Sequence, residues 1–161
     1  MMVRIIVRVT AALLSLVLVG CAEPAFPRDP DDTLQRASGG TLRVGVSDHP
    51  PFTEVADDGS VSGDEVEIIE GYAESIGATV EWRDGAESEL VELLDLGQLD
   101  VVIGGIASDS PWSKHAAFTR PYTRVVGTDG KAQKMVIAAR LGENALLTSL
   151  DRYLIEKGLR A

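Results

Sequence analysis

Small and polar residues follow two apolar segments of the chain at the points where those segments end. LDVVIGG (99–105) finishes in a glycine pair, and TLRVGV (41–46) runs directly into SDHPPF (47–52). If the two segments are parallel strands, their carboxyl ends share one sheet edge, which is where ligands of such sheets bind. Backbone groups, hydroxyls and rings at this edge supply hydrogen bonds and stacking to a small polar ligand. The candidate ligand-binding residues are Ser47, His49, Phe52, Gly104, Gly105, Ser108 and Trp112.

The segment Ser108-Asp109-Ser110-Pro111 predicts a helix start beside the same edge, because a capping side chain precedes a proline at the first helical position. The free N–H groups of a helix N-terminus form a natural anion site. Two other side chains near the edge are open to two interpretations. His49 either stacks on a ligand or is an ordinary loop residue. Glu87 either lines the pocket or, as we expect, stabilises the first turn of its helix.

Catalytic and metal-binding chemistry is not indicated by the sequence. Asp64, Glu65 and Glu67 are predicted to form the solvated first turn of a helix rather than a metal site. No set of His, Cys and carboxylate residues has metal-ligand spacing. No nucleophile–base pair or spaced carboxylate pair stands beside the predicted edge. We therefore expect no cofactor and no enzyme activity.

Cys21 is the one residue in the chain with a specific covalent chemistry, and it is the only cysteine. The preceding MMVRIIVRVTAALLSLVLVG has a basic start, an apolar run and a final glycine, which predicts a secretory signal peptide over 1–20. Leu18-Val19-Gly20-Cys21 resembles a bacterial lipobox, in which the cysteine thiol takes the lipid. Several acyl chains make a stable anchor, so we expect an exported protein tethered to the membrane on its periplasmic or cell-surface side. The alternative is an uncleaved N-terminal anchor helix.

The overall charge limits the classes of partner. The formal net charge is −10, and an acidic protein repels nucleic acid and anionic lipid surfaces. The same charge slightly favours a cationic or zwitterionic small ligand. Residues 21–40, the lipidated cysteine followed by three prolines and several charges, predict a flexible linker. Residues 41–158 then predict one small domain.

Hydrophobic periodicity in this domain predicts alternating strands and helices. Apolar residues recur at helical spacing in DEVEIIEGYAESIG (64–77), AESELVELLDLG (86–97) and ENALLTSLDRYLIEKG (143–158). TLRVGV and ATVEW (78–82) are rich in β-branched and aromatic residues and predict strands. LDVVIGG shows no alternation, as is typical of a central strand covered on both faces. The order strand, helix, strand, helix, strand predicts an α/β fold with a mostly parallel sheet and helices on both faces.

Four segments resemble the family 3 extracellular solute-binding proteins, the amino-acid receptors of ABC importers. Three match the first lobe of that family in order, and the fourth is similar to its closing strand and helix. They are LRVGVSDHPPF (42–52), DGSVSGDEVEIIEGYAESIGATVEW (58–82), ELLDLGQLDVVIGGIASDSPWSKHAAFTRPY (92–122) and VIAARLGENALLTSLDRYLIEKG (136–158). The resemblance implies a three-layer single lobe of the type 2 periplasmic binding protein fold, with a small polar solute such as an amino acid as its ligand.

The second lobe of this family has no counterpart in the sequence. In the family, the chain leaves the first lobe after a Pro-Tyr pair, builds a second lobe and returns before the closing strand. Here Pro121-Tyr122 and Met135 are separated by a short segment with one turn signal, Asp129-Gly130. The sequence therefore predicts a hairpin in place of the second lobe. The alternative of a truncated product is disfavoured because the closing helix keeps its apolar stripe.

The resemblance also breaks at the ligand carboxylate. The family usually has an Arg near the start of the short helix after the third strand, which clamps the α-carboxylate of the ligand, together with a hydroxyl residue. The matching positions here are Trp112 and Ala107. Each lost charge-assisted hydrogen bond is worth roughly 1.5–3 kcal/mol, and a missing lobe leaves less of a ligand buried. The resemblance therefore implies weak or altered solute binding.

Two functions are consistent with the resemblance. The first is a lipid-anchored extracytoplasmic solute-binding protein, whose partners are a small polar solute and an ABC permease or other membrane protein. The second is a regulatory or partner-binding lipoprotein that uses the exposed inter-lobe face, including Phe52 and Trp112, and no longer binds solute. It predicts a homodimer or a membrane partner. An enzyme on the same fold is a third, disfavoured hypothesis.

Overall fold

The computed structural model describes residues 27–127 and 130–161. The predicted signal peptide, Cys21 and Asp129 of the predicted turn lie outside these residues. In the described part of the chain, no helix is both long and apolar enough to cross a membrane.

Four α-helices and eight strands form the described domain. The helices are α1 (Thr33–Ala37), α2 (Asp64–Ser75), α3 (Glu87–Asp95) and α4 (Asn144–Glu156), with a 3₁₀ turn at Pro111–Lys114. The strands are β1 (Thr41–Val46), β2 (Glu54–Val55), β3 (Val61–Ser62), β4 (Thr79–Asp84), β5 (Val101–Ala107), β6 (Ala116–Phe118), β7 (Thr123–Val126) and β8 (Ala132–Arg140). These bounds confirm the predicted order of strands and helices from β1 to β5, and the closing strand and helix.

The main sheet has the strand order β4-β1-β5-β8-β6, with β7 also paired to β8. β1 runs parallel to both β4 and β5, whereas β8 runs antiparallel to β5, β6 and β7. The α/β class is as predicted, but the sheet is mixed and has fewer parallel pairs than the sequence indicates. The reason is that β8 is entered from a hairpin, which reverses the chain, and not from a crossover helix.

The central strand β5 is covered on both faces, as its lack of alternation predicts. Val101 and Ile103 pack in a core cluster with buried residues of α1, α2 and α4. Val102 and Ile106 pack in a second cluster with the leucines of α3. The domain is therefore a three-layer lobe with helices on both faces of one sheet.

The hairpin predicted in place of a second lobe is present. β7 pairs with β8 from Thr123 opposite Met135 to Val126 opposite Ala132. The Gly127 N–H donates to the Lys131 carbonyl at 2.8 Å and closes the turn. The hairpin extends the sheet at the same edge where β1 and β5 end, and its position decides the shape of the cleft at that edge.

Within the predicted flexible linker 21–40, residues 33–37 form helix α1, which corrects the sequence-based interpretation of that part of the linker. Thr33 and Ala37 of α1 are buried. The Asp29 carboxylate accepts the Leu34 N–H at 2.7 Å, and the Glu143 carboxylate, distant in sequence, accepts the Thr33 N–H at 3.4 Å. These acceptors satisfy donors at a helix start. Local composition does not reveal them because one of them comes from the far end of the chain.

Candidate functional site

A cleft of about 890 Å³ lies between the loop after β1 and the β7–β8 hairpin, at the carboxyl ends of β1 and β5. This is the edge at which ligands of α/β sheets bind, and its volume lies within the range of small-molecule sites. The lining residues are His49, Pro50, Pro51, Phe52, Asp64, Gly105, Ala107, Thr123, Val125, Val126, Gly127, Gln133 and Met135.

The loop after β1 is held in shape by its own hydrogen bonds. The His49 N–H donates to the Thr53 carbonyl at 2.9 Å, and the Phe52 N–H donates to the His49 carbonyl at 3.0 Å. The buried Thr53 hydroxyl donates to the Ser47 carbonyl at 2.5 Å. The Pro50–Pro51 peptide bond within this loop is cis. A loop whose backbone bonds are satisfied internally presents a preformed wall to a ligand.

Gly105 lets the two rings of this loop approach the end of β5. Its φ is +65°, and a Cβ at this position would lie 2.8 Å from His49 Cδ2 and 2.9 Å from Phe52 Cδ2. The two ring centroids are 5.9 Å apart with their planes at 43°. A side chain at 105 would therefore both strain the backbone and displace the rings.

The floor beneath the cleft is organised by Glu65, which is fully buried. Its Oε2 accepts the N–H groups of Gly104 at 2.8 Å and Gly105 at 3.0 Å. Its Oε1 accepts the Tyr122 hydroxyl at 2.5 Å. One carboxyl group therefore joins the start of α2, the end of β5 and the residue that leads into β7.

Burial changes the acid–base behaviour of this pair. Desolvation raises the pKa of Glu65 above its ordinary value, although the hydrogen bonds from Tyr122 and the two glycines act in the opposite direction. Burial and the nearby Glu65 charge raise the pKa of Tyr122 far above its usual range. The phenol therefore stays protonated and acts as a donor to the carboxyl group.

The prediction that Glu65 is solvated is wrong, while its neighbours Asp64 and Glu67 are exposed as predicted. The signal that identifies Glu65 is its spacing. Ile68, Ile69 and Tyr72 follow it at positions i+3, i+4 and i+7, so Glu65 lies on the buried face of α2. A carboxylate on the apolar stripe of a helix needs buried partners, and β5 and Tyr122 supply them.

The structure brings His49, Phe52 and Gly105 together among the predicted ligand-binding residues, while the others lie elsewhere. Gly104 is buried behind the lining, and a Cβ added to it would lie 2.8 Å from the Cβ of Ser47. Ser108 is exposed, and its N–H donates to the Lys134 carbonyl at 2.8 Å. Asp64 and the hairpin residues are lining residues that the sequence-based reasoning missed, because they depend on tertiary placement of α2 and β7–β8.

Trp112 lies in a separate cavity of about 280 Å³ beside α3, not in the cleft. Its indole Nε1 donates to Oε1 of Glu87, the first residue of α3. The Ser110 hydroxyl oxygen accepts the Trp112 N–H at 3.4 Å and caps the 3₁₀ turn. This confirms the predicted capping position. It also shows that Glu87 holds Trp112 against α3, which is a structural contact.

Another groove of about 890 Å³ is lined by eight residues of the segment 27–38 and by Ala145. It lies along the N-terminal segment and α1, away from the carboxyl ends of the parallel strands, so the cleft is the better candidate for a solute site. Within residues 27–127 and 130–161, no group of three or more His, Cys, Asp or Glu side chains could hold a metal ion.

Comparison with known proteins identifies the class of this lobe. Residues 42–156 match the family described as bacterial extracellular solute-binding proteins, family 3. The L-cystine-binding protein TcyJ of Escherichia coli K12 is 33% identical over 85 residues, which is 52% of this chain and 32% of that protein. The membrane-bound lytic murein transglycosylase F of Maricaulis maris is 33% identical over 120 residues, which is 73% of this chain and 26% of that protein. The chain thus spans about a third or less of these relatives.

Among solved structures, the similarity extends over a whole domain. The arginine-bound form of domain 1 from TmArgBP, the ArgBP of T. maritima, is 30% identical with a TM-score of 0.66. The match covers 76% of this chain and 97% of that one. The likeness is therefore to one lobe, as the sequence predicts.

Proposed function

The chain belongs to family 3 of the bacterial extracellular solute-binding proteins, and we propose that it is a lipid-anchored receptor that holds a small polar solute in the cleft. The observation that carries this proposal is the cleft itself. It lies at the ligand-binding edge of an α/β sheet, and its loop after β1 is preformed by internal hydrogen bonds.

A single lobe is sufficient for solute binding in at least one relative. Domain 1 from TmArgBP is arginine-bound as an isolated domain, and its similarity to this chain extends over 97% of that domain. This supports solute binding by one lobe here. We expect weak affinity, because no second lobe covers the cleft in the part of the chain that the structure describes, and because Trp112, at the position of the family's usual carboxylate-binding Arg, lies outside it.

Solute binding is tested by thermal-shift screening of the purified chain against amino acids, amines and organic acids, with native mass spectrometry of the same samples. A ligand at ten times its Kd stabilises a protein by about 1.4 kcal/mol, which corresponds to a rise in Tm of roughly 3–5 °C for a domain of this size. We expect a one-to-one complex with at least one solute. A concentration of about 10 mM would detect even millimolar Kd values. If no solute stabilises the protein at this concentration, the proposal is contradicted.

A matched pair of variants locates the solute. Gln133 is exposed and lines the cleft, whereas the next residue, Lys134, lies on the other face of β8 by strand alternation. Gln133→Trp places a large ring in the cleft and is expected to abolish binding. Lys134→Trp makes the same addition on the opposite face and is expected to leave the Kd unchanged. Equal effects of the two variants would place the solute elsewhere.

The anchor and the location form a separate part of the proposal. A signal peptide over 1–20 and a lipobox ending in Cys21 support export and tethering on the periplasmic or cell-surface side of a membrane. We expect Cys21→Ser to move the protein out of the membrane fraction of a bacterial host, and mass spectrometry of the wild-type protein to detect acyl chains on Cys21. Membrane association that is unchanged in Cys21→Ser would favour an uncleaved anchor helix. The proposed partner at the membrane is an ABC permease or another membrane protein.

A second candidate function is a partner-binding lipoprotein that uses the cleft face as an interface. The observation that favours it is Val126, which is 74% exposed at the rim of the cleft beside the half-buried Val125, since exposed apolar side chains in a patch mark interfaces. The expectation that Phe52 is exposed on this face is wrong, because Phe52, in the loop after β1, is buried. Light scattering of the purified chain distinguishes the two functions. A dimer that Val126→Glu dissociates would support the interface, whereas a monomer that binds solute supports the receptor.

A further inference from the structure

Three hydrogen-bond donors at the floor of the cleft that could hold an anion are already occupied. The N–H groups of Gly104 and Gly105 and the Tyr122 hydroxyl all donate to Glu65. At the 3₁₀ turn, the Trp112 N–H donates to the Ser110 side chain. The N–H groups of Gly104, Gly105 and Trp112 are therefore committed to the protein itself. A ligand carboxylate can recover its lost hydration only in part, from side-chain donors such as those of Thr123 and Gln133.

The charge that lines the cleft is negative. Asp64 is an exposed lining residue, and no Lys or Arg is among the lining residues in the part of the chain that the structure describes. The cationic residues within the two strands of the hairpin do not change this. Arg124 lies between Thr123 and Val125, and its register partner Lys134 lies between Gln133 and Met135, so strand alternation directs both away from the face that these four lining residues form.

The remaining lining suits the apolar body of an organic cation. The rings of His49 and Phe52 meet at 5.9 Å on the Gly105 side, and Val125 and Met135 contribute apolar surface from the hairpin. Aromatic faces attract ammonium and guanidinium groups, by about 0.5–2 kcal/mol in general. A ligand with a cationic end near Asp64 and an aliphatic chain along these residues matches both the acidic and the apolar parts of the lining.

We propose that the cleft takes organic cations that lack a carboxylate, namely alkyl amines or guanidines, with Asp64 as the counter-ion and His49 and Phe52 as the ring surface. This inference rests on the proposed solute-binding function and goes further by assigning the ligand class. It separates this lobe from a receptor for zwitterionic amino acids, whose carboxylate would lie near Asp64 with no Lys or Arg among the described lining residues.

The test compares three probes that share one guanidinium chain. Isothermal titration calorimetry of the full chain is performed with arginine, arginine methyl ester and agmatine. The ester neutralises the carboxylate, and agmatine lacks it. We expect agmatine and the ester to bind at least about tenfold more tightly than arginine, because removing the carboxylate removes a desolvation cost that the lining compensates only in part and also removes its repulsion from Asp64.

Three variants test the role of Asp64. Asp64→Asn is expected to weaken agmatine binding roughly three- to tenfold, since an exposed carboxylate is partly screened by solvent. Glu70→Gln removes the same charge from an exposed position of α2 outside the cleft, and its agmatine Kd is expected to match wild type. Gln133→Glu adds a carboxylate to the lining and is expected to tighten agmatine binding severalfold, which gives a readout that loss of folding cannot imitate.

The outcomes separate this inference from the proposed function. Arginine binding as tightly as agmatine, or binding confined to anionic and neutral solutes, overturns the cation inference and leaves solute binding intact. Unchanged agmatine affinity in both Asp64→Asn and Gln133→Glu overturns the role of Asp64. Failure of every cationic, neutral and anionic solute to bind overturns the proposed function itself, and the inference with it.

Discussion

Replacing Glu65 with alanine removes the acceptor that joins three parts of the cleft floor. In the folded protein, Glu65 accepts the Gly104 N–H, the Gly105 N–H and the Tyr122 hydroxyl. Gly104 and Tyr122 are buried, so their donors find no water in the variant, whereas Gly105 is half-buried and can be hydrated. Each unsatisfied buried donor costs about 1–3 kcal/mol. Because the missing side chain also leaves a cavity, we expect Glu65→Ala to lower the free energy of unfolding by roughly 3–5 kcal/mol.

Glu65→Gln is the matched variant. Its amide oxygen can accept the two backbone N–H groups while its NH₂ group donates to the Tyr122 hydroxyl oxygen, which is both a donor and an acceptor. We therefore expect this variant to lose no more than about 1–2 kcal/mol. Urea denaturation of wild type and both variants, followed by tryptophan fluorescence and circular dichroism, measures the free energies of unfolding.

The same variants give a pH dependence whose sign follows from the raised pKa of Glu65. The folded protein holds the Glu65 proton more tightly than the unfolded chain does. Its contribution to stability is therefore full below the ordinary pKa of glutamate and is lost as the pH rises through the raised pKa. We expect the stability advantage of wild type over Glu65→Gln to shrink as the pH rises above the ordinary pKa of glutamate. A decrease in the free energy of unfolding of less than about 1 kcal/mol in Glu65→Ala would contradict the role given to Glu65. A stability advantage of wild type over Glu65→Gln that grows with pH would contradict it as well.

Three further predictions concern other parts of the site. Gly105→Ala is expected to lower the free energy of unfolding by at least about 1–2 kcal/mol, because an L-residue at φ +65° is strained. It is also expected to weaken solute binding, because the added methyl group displaces His49 and Phe52. Unchanged stability and Kd would contradict this. Trp112→Ala is expected to leave the solute Kd within about twofold, less than the loss of one hydrogen bond, because Trp112 lies in the cavity beside α3; a larger loss in calorimetry would return it to the binding site. Thr53→Val removes the 2.5 Å hydrogen bond to the Ser47 carbonyl. It is expected to lower the free energy of unfolding by about 1 kcal/mol and to weaken solute binding, because the loop after β1 becomes less rigid. Thr53→Ser keeps the hydroxyl and is expected to retain the Kd.

The sequence was sufficient for features that depend on local periodicity. The stripe Leu146, Leu150, Tyr153 and Leu154 is buried along α4 as the spacing predicts. The turn signal near Gly130 predicts the β7–β8 hairpin because Gly adopts the positive φ that the turn needs. The glycine pair near the end of β5 marks the edge of the sheet at which the cleft lies.

Features that depend on partners distant in sequence were not predictable in this way. Helix α1 forms in a proline-rich segment because Glu143 accepts one of its N–H groups. Glu65 is buried because β5 and Tyr122 satisfy it. The placement of Gln133 and Met135 in the cleft follows from the register of β7 and β8, which no local pattern specifies.

The central claim, that one lobe holds a solute between the loop after β1 and the β7–β8 hairpin, is tested most directly by NMR. Backbone amide correlation spectra of the purified chain are recorded during titration with agmatine and, separately, with arginine. We predict saturable shifts confined to the amides of His49, Phe52, Asp64, Gly105, Val125 and Gln133 and to their neighbours, with agmatine saturating first. Shifts clustered along 27–38 or around Trp112, or none with either probe or with other amino acids and organic acids, would contradict the account.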